Sequence, residues 1–165
     1  MLPRLFVVAG ALLMLAACSS APETPAGGLG GPGGPGGPGG IGASQYGPGS
    51  QQDLAATAGD RVFFAFDRSD ISSEAQQILQ RQAEWLRRYP NVSVTIEGHC
   101  DERGTREYNL ALGERRANAV KNVLVAAGIP AARLATISYG KERPIVPGST
   151  EDAYAQNRVA ITTVN

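Results

Sequence analysis

An acid, Asp101, closes a strand-like run, and a base, Arg116, falls on the inward face of the helix that follows. Tyr108, Leu112, Arg116 and Val120 recur every four residues, which keeps them on roughly one helix face. Asn109 lies near the same stripe, whereas Arg115 points well away from it and reads as a solvated charge. An inward charge without a partner is costly. Two chemistries answer that cost. One is a structural Asp101–Arg116 ion pair that fixes the strand–helix junction, and spacing alone favours it, because structural pairs also gather such residues. The other is a receptor for a zwitterion, in which the carboxylate takes an ammonium and the guanidinium fork takes a carboxylate in bidentate geometry. Free N–H groups at the start of the helix add an anion-friendly field.

Catalysis and metal chemistry fit poorly. His99 beside Cys100 offers a base and a nucleophile, but neighbours on an extended segment point to opposite faces. One His and one Cys in the domain leave only carboxylates to complete a zinc site, so no metal centre is expected and His99 reads as a loop hydrogen-bonder.

The elements that must position these groups are legible in the hydrophobic pattern. Arg61 to Phe66 is a short apolar and aromatic run, read as a strand. Ser73 followed by Gln76 matches a capping box, and Ala75, Ile78, Leu79, Ala83 and Leu86 recur at helical spacing until Tyr89-Pro90. Val92, Val94 and Ile96 alternate with Ser93, Thr95 and Glu97, which predicts a strand with one apolar face. Thr105 is placed to cap the next helix, whose buried stripe is Tyr108, Leu112, Val120, Val123, Leu124 and Ala127; Gly128 and Pro130 stop it. Leu134 to Tyr139 is a third strand, Thr150 to Gln156 a short helix and Arg158 to Val164 a fourth strand. Together these predict an α/β (α+β) two-layer sandwich, a small mixed four-stranded sheet covered on one face by two main helices.

The N-terminal third has another character. Residues 1–17 carry Arg4, an apolar run from Leu5 to Leu15 and small residues, the pattern of a secretion signal. Leu15-Ala16-Ala17-Cys18 resembles a bacterial lipobox, which implies acylation of Cys18 and, with Ser19 following, an outer-membrane destination. Several acyl chains exceed what lasting attachment requires. From Cys18 to Gly59 most of the chain's 21 Gly and 11 Pro accumulate, so this stretch reads as a disordered tether and the folded domain as 60–165. About 40 such residues span roughly 35 Å as a coil and up to ~120 Å drawn out. The charge balance of 15 basic to 15 acidic residues shows no basic patch, which argues against nucleic acid as a partner.

Gly98-His99-Cys100-Asp101, Gly104, Asn109, Leu112, Arg116-Ala117 and Asn157-Arg158 resemble the OmpA-like C-terminal domain family. Phe64-Ala65-Phe66-Asp67, Asp101-Glu102-Arg103-Gly104-Thr105, Leu112 to Asn118 and Ser138 to Glu142 look specifically like its peptidoglycan-associated lipoproteins. The resemblance implies a wall-binding domain without catalytic activity or cofactor beyond the lipid, facing the periplasm. By position, Asp101 would hold the ammonium of diaminopimelate in the peptide stem and Arg116 its carboxylate. Asp67 and Arg103 would line the pocket, Leu112 would form an apolar wall, and Asn109 would order the loop. It also implies TolB and other Tol proteins as partners during envelope constriction at division, with a module primarily for those proteins as the alternative. Two positions depart from the pattern: Cys100 stands where Ala or Thr is frequent, and Val159 where a second Arg is frequent.

Overall fold

The computed structural model describes residues 46–165. The expected signal segment, the acylated Cys18 and the tether as far as residue 45 lie outside the described residues. The order of elements is α1 (Gln51–Thr57), β1 (Arg61–Phe63), α2 (Ser73–Arg88), β2 (Val94–His99), α3 (Arg106–Ala126), a single 3-10 turn (Ala131–Arg133), β3 (Leu134–Gly140), α4 (Glu151–Asn157) and β4 (Val159–Val164).

The strands form one mixed sheet in the order β1-β4-β2-β3. β2 and β3 are parallel, with α3 as the crossover, while β4 runs antiparallel to both β1 and β2. The core lies between the sheet and helices α2 and α3. Leu79, Ala83 and Leu86 from α2 meet Val94 and Ile96 of β2, Val120 and Leu124 of α3, and Ala160 of β4. This is the two-layer arrangement that the periodicity predicts.

Helix α3 lies unusually close to β2. A Cβ built on Gly98 would sit 1.9 Å from the Gly113 carbonyl oxygen, so only glycine permits this crossing. The contact pins the start of α3 over the end of β2, where Asp101 leaves the sheet. Thr105 Oγ1 accepts from Tyr108 N at 3.2 Å and caps the helix, and Gly128 at φ 91° ends it.

Four expectations need correction. The stretch before Gly59 is not all tether: Ser50 caps α1, Leu54 is fully buried, and Asp53 accepts from Trp85 Nε1 at 2.9 Å. Gln51 adds a second tie, its Oε1 accepting from Val164 N at 2.8 Å. A Gly/Pro-weighted composition hides these anchors, since one leucine and one buried carboxylate suffice to dock a short helix. The cap of α2 is Ser72, not Ser73; its Oγ accepts from Ala75 N at 3.1 Å. β1 stops at Phe63 rather than Phe66, because the chain turns there and the carbonyls of Ala65 and Arg68 serve another partner, described below. Tyr108 is nearly half exposed instead of buried, because its ring turns to the pocket described below, where its hydroxyl donates to Asp67.

Candidate functional site

Asp67, Asp101, Arg103, Asn109, Leu112 and Arg116 line one pocket of about 160 Å³. Phe66, Cys100, Gly104 and Tyr108 complete its lining. Three segments build it: the loop after β1, the loop between β2 and α3, and the first turns of α3. Residues distant in sequence thus meet because the Gly98–Gly113 contact brings the helix start onto the strand end.

Asp101 is buried, and its carboxylate is crowded. Oδ1 accepts from the backbone N–H of Arg103 at 3.1 Å and from Arg103 Nε at 3.2 Å. Oδ2 accepts from Arg103 Nη2 at 2.6 Å and from Arg158 Nη1 at 3.3 Å. Burial by itself raises the pKa of this carboxyl, but the hydrogen bonds and charge of Arg103, with Arg158 behind, outweigh it and hold the group below the ordinary carboxylate range. The ionised form is therefore the one the fold selects.

Arg116 is 1% exposed, yet it does not pair with Asp101. Its Nη1 donates to His99 O at 2.7 Å, Nε to Arg68 O at 2.9 Å and Nη2 to Ala65 O at 3.2 Å. The ion pair that spacing favoured is thus replaced by a guanidinium clamped to three main-chain carbonyls. Those oxygens carry only partial negative charge, so Arg116 keeps its positive charge unneutralised by any direct carboxylate. Desolvation lowers its pKa from the ordinary value, partly offset by the fields of Cys100 and Asp101, but a guanidinium remains ionised. Of its five N–H donors, three are taken, and the remaining ones belong to the two Nη atoms.

The loop between these charges is fixed from within. Asn109 Nδ2 donates to Arg103 O at 2.8 Å and to Thr105 O at 3.0 Å. Gly104, at φ 95°, provides the left-handed turn that lets the loop close on Asn109. Across the pocket Asp67 adopts φ 56°, a conformation that Asp tolerates better than most side chains, and it accepts a hydrogen bond from Tyr108 Oη. Leu112 is buried and gives the pocket its apolar wall.

Cys100 and His99 do not form a dyad. Cys100 Sγ donates to Asn109 O at 3.3 Å, and burial pushes its pKa up to about 11. His99 Nδ1 donates to Arg143 O at 3.0 Å, while its Nε2 lies 3.8 Å from Glu97 Oε2. Among the described residues no group of three or more His, Cys, Asp or Glu is arranged to hold a metal ion.

Sequence reasoning missed the second arginine on Asp101. Arg158 is buried; its Nε donates to Phe64 O at 3.2 Å, and its Nη1 reaches both Asp101 and Glu151, the latter at 2.9 Å. The sequence places it at the head of the fourth strand and, in Asn157-Arg158, among the residues that carry the resemblance, but nothing local names Asp101 as its partner. Phe66 and Tyr154 were missed too. Their rings flank the Arg103 guanidinium carbon, with centroids 4.1 Å and 4.5 Å away.

Residues 63–158 match the model of the OmpA family. A peptidoglycan-associated lipoprotein of Agrobacterium fabrum is 55% identical over 123 residues, 74% of this chain and 70% of that one. One from Haemophilus influenzae is 44% identical over 156 residues, 94% of this chain and 93% of its own length. The crystal structure of the peptidoglycan-associated lipoprotein from Burkholderia pseudomallei superposes with a TM-score of 0.63 at 40% identity, covering 64% of this chain and 90% of that one. The C-terminal domain of Helicobacter pylori MotB shares the fold, with a TM-score of 0.60 at 22% identity, covering 64% of this chain and 84% of that one.

Proposed function

The chain belongs to the OmpA family and to its peptidoglycan-associated lipoproteins, and from that membership we propose that it grips the peptide stem of peptidoglycan without covalent chemistry. A lipid on Cys18 anchors the other end in the outer membrane, and the domain faces the periplasm. The observation that carries this reading is the pairing of an ionised buried acid with an unneutralised buried guanidinium in a single pocket.

The diaminopimelate residue of the stem bears an ammonium and a carboxylate on one carbon. In the proposed complex Asp101 receives the ammonium, and the spare N–H groups of Arg116 receive the carboxylate. Three main-chain carbonyls hold the Arg116 charge in place before ligand arrives, so that half of the site is preorganised. Leu112 packs against the intervening methylenes. Asp67 and Arg103 close the sides. The protein makes and breaks no bond in this scheme; it acts as a clamp. Many weak clamps on one membrane give strong attachment, because each bound site raises the effective concentration of the next.

A protein partner at the same mouth is a second reading, and the exposed rings of Phe66 and Tyr108 beside the pocket favour it. A Tol-system protein docking there, TolB first among them, would exclude the wall ligand during envelope constriction. Titration of the protein with a diaminopimelate-containing muropeptide tests the first reading. Saturable binding that Asp101→Asn abolishes supports it. Absence of binding by the unaltered protein refutes it and leaves the pocket mouth as a protein-docking surface, for which TolB is the next titrant.

A further inference from the structure

A carboxylate offers about four lone-pair sites. On Asp101 all are used: Oδ1 accepts twice from Arg103, and Oδ2 accepts once from Arg103 and once from Arg158. A ligand ammonium therefore finds no free acceptor there. One of the resident donors has to leave. The backbone N–H of Arg103 is held by the loop that Asn109 fixes. Arg158 is buried and committed to Phe64 O and Glu151. The Arg103 side chain, 36% exposed, is the most accessible of the three.

We propose that Arg103 is a placeholder cation: its guanidinium occupies the ammonium position on Asp101, and only a ligand that brings its own positive charge can displace it. This rests on the wall-binding reading above and adds the determinant of its specificity. The geometry includes an exit. Arg103 Nη1 already lies 3.5 Å from Glu151 Oε2, an exposed carboxylate, so the guanidinium can transfer to Glu151. The rings of Phe66 and Tyr154 lie against it and form a track for that movement.

Charge counting explains the selectivity. Asp101 and Glu151 carry two negative charges against the two positive charges of Arg103 and Arg158. A zwitterion leaves that balance unchanged. A neutral amide in the ammonium position would expel Arg103 and leave Asp101 short of one charge, so an N-acetylated stem should be rejected even though it fits the same methylene spacing.

The test compares the full chain with Arg103→Gln, titrated with a diaminopimelate-containing muropeptide and with its N-acetylated form. Losing this part-exposed ion pair should tighten binding of the amine form by up to about fivefold. Equal or weaker binding by a folded Arg103→Gln would overturn the proposal and make Arg103 a direct contact or a bystander. Because this variant can also loosen the loop, the Arg103 Nε–H resonance of the unaltered protein is followed in parallel. It should shift and exchange faster with water as muropeptide saturates; an unchanged resonance at saturation overturns the proposal. If neither protein binds muropeptide, the wall-binding reading has failed, and methylammonium becomes the probe. A methylammonium-dependent shift of the same resonance would still support displacement, and its absence would refute it.

Discussion

Arg116 and Arg115 are neighbours in sequence, and the structure assigns them opposite consequences. Truncating Arg116 to alanine removes the donors to His99 O, Arg68 O and Ala65 O. A hydrogen bond from a charged donor is worth about 1.5–3 kcal/mol, and a buried acceptor left unmade costs about 1–3 kcal/mol. The His99 bond is buried and takes the full penalty, whereas the other two are part-buried and water can replace much of each. Removing the unneutralised guanidinium relieves some desolvation and offsets part of the loss. The balance is a destabilisation of roughly 3–5 kcal/mol. Arg115 is exposed, its guanidinium carbon 5.8 Å from the Tyr108 ring centroid, so Arg115→Ala should change stability by less than about 0.5 kcal/mol. Urea unfolding at pH 7, followed by far-UV circular dichroism, reads both. A loss of under about 1 kcal/mol for Arg116→Ala would refute the carbonyl clamp. It would leave Arg116 a role toward ligand alone.

Leu54 is fully buried, so Leu54→Ala should cost about 2–5 kcal/mol by the same assay, whereas a tether residue would cost nothing. The depressed pKa of Asp101 makes its stabilising contribution complete above the unfolded value near 3.9 and lost as pH falls through the lower folded value. The stability gap between the protein and Asp101→Asn should therefore stay level from pH 8 to pH 5 and close only below about pH 4; a gap that closes between pH 5 and 7 would contradict the assigned ionisation. His99 has the opposite kind of charge but the same sign of slope: burial lowers its folded pKa, so stability should fall as pH drops below about 6.5, and His99→Gln should flatten that slope in urea titrations. The Cys100 thiol, buried and raised to about 11, should react with a thiol reagent at pH 8 only as fast as the domain opens, and rapidly in 6 M guanidinium; prompt modification of the folded protein would contradict its burial.

Much of this protein is determined by local pattern alone. The helical spacing of Leu79, Ala83 and Leu86, four residues and then three, specifies α2, the alternation of Val94 and Ile96 specifies β2, and Thr105 and Gly128 bound α3 with a cap and a stop. These signals are local because a side chain's face follows from the repeat of its own element. The same repeat places Arg116 inward and Asp101 at a strand end. It says nothing of what either one meets. The sheet order β1-β4-β2-β3, the approach of Gly98 to Gly113 and the docking of α1 are contacts between segments far apart in the chain. Through them the carbonyls of Ala65 and Arg68 reach Arg116, and Arg158 reaches Asp101. Main-chain carbonyls carry no residue identity, so a guanidinium that seeks them leaves no trace in the sequence. Tertiary packing alone decided that Asp101 and Arg116 share a pocket without pairing with each other, and two opposite charges held apart are what a zwitterion can bridge.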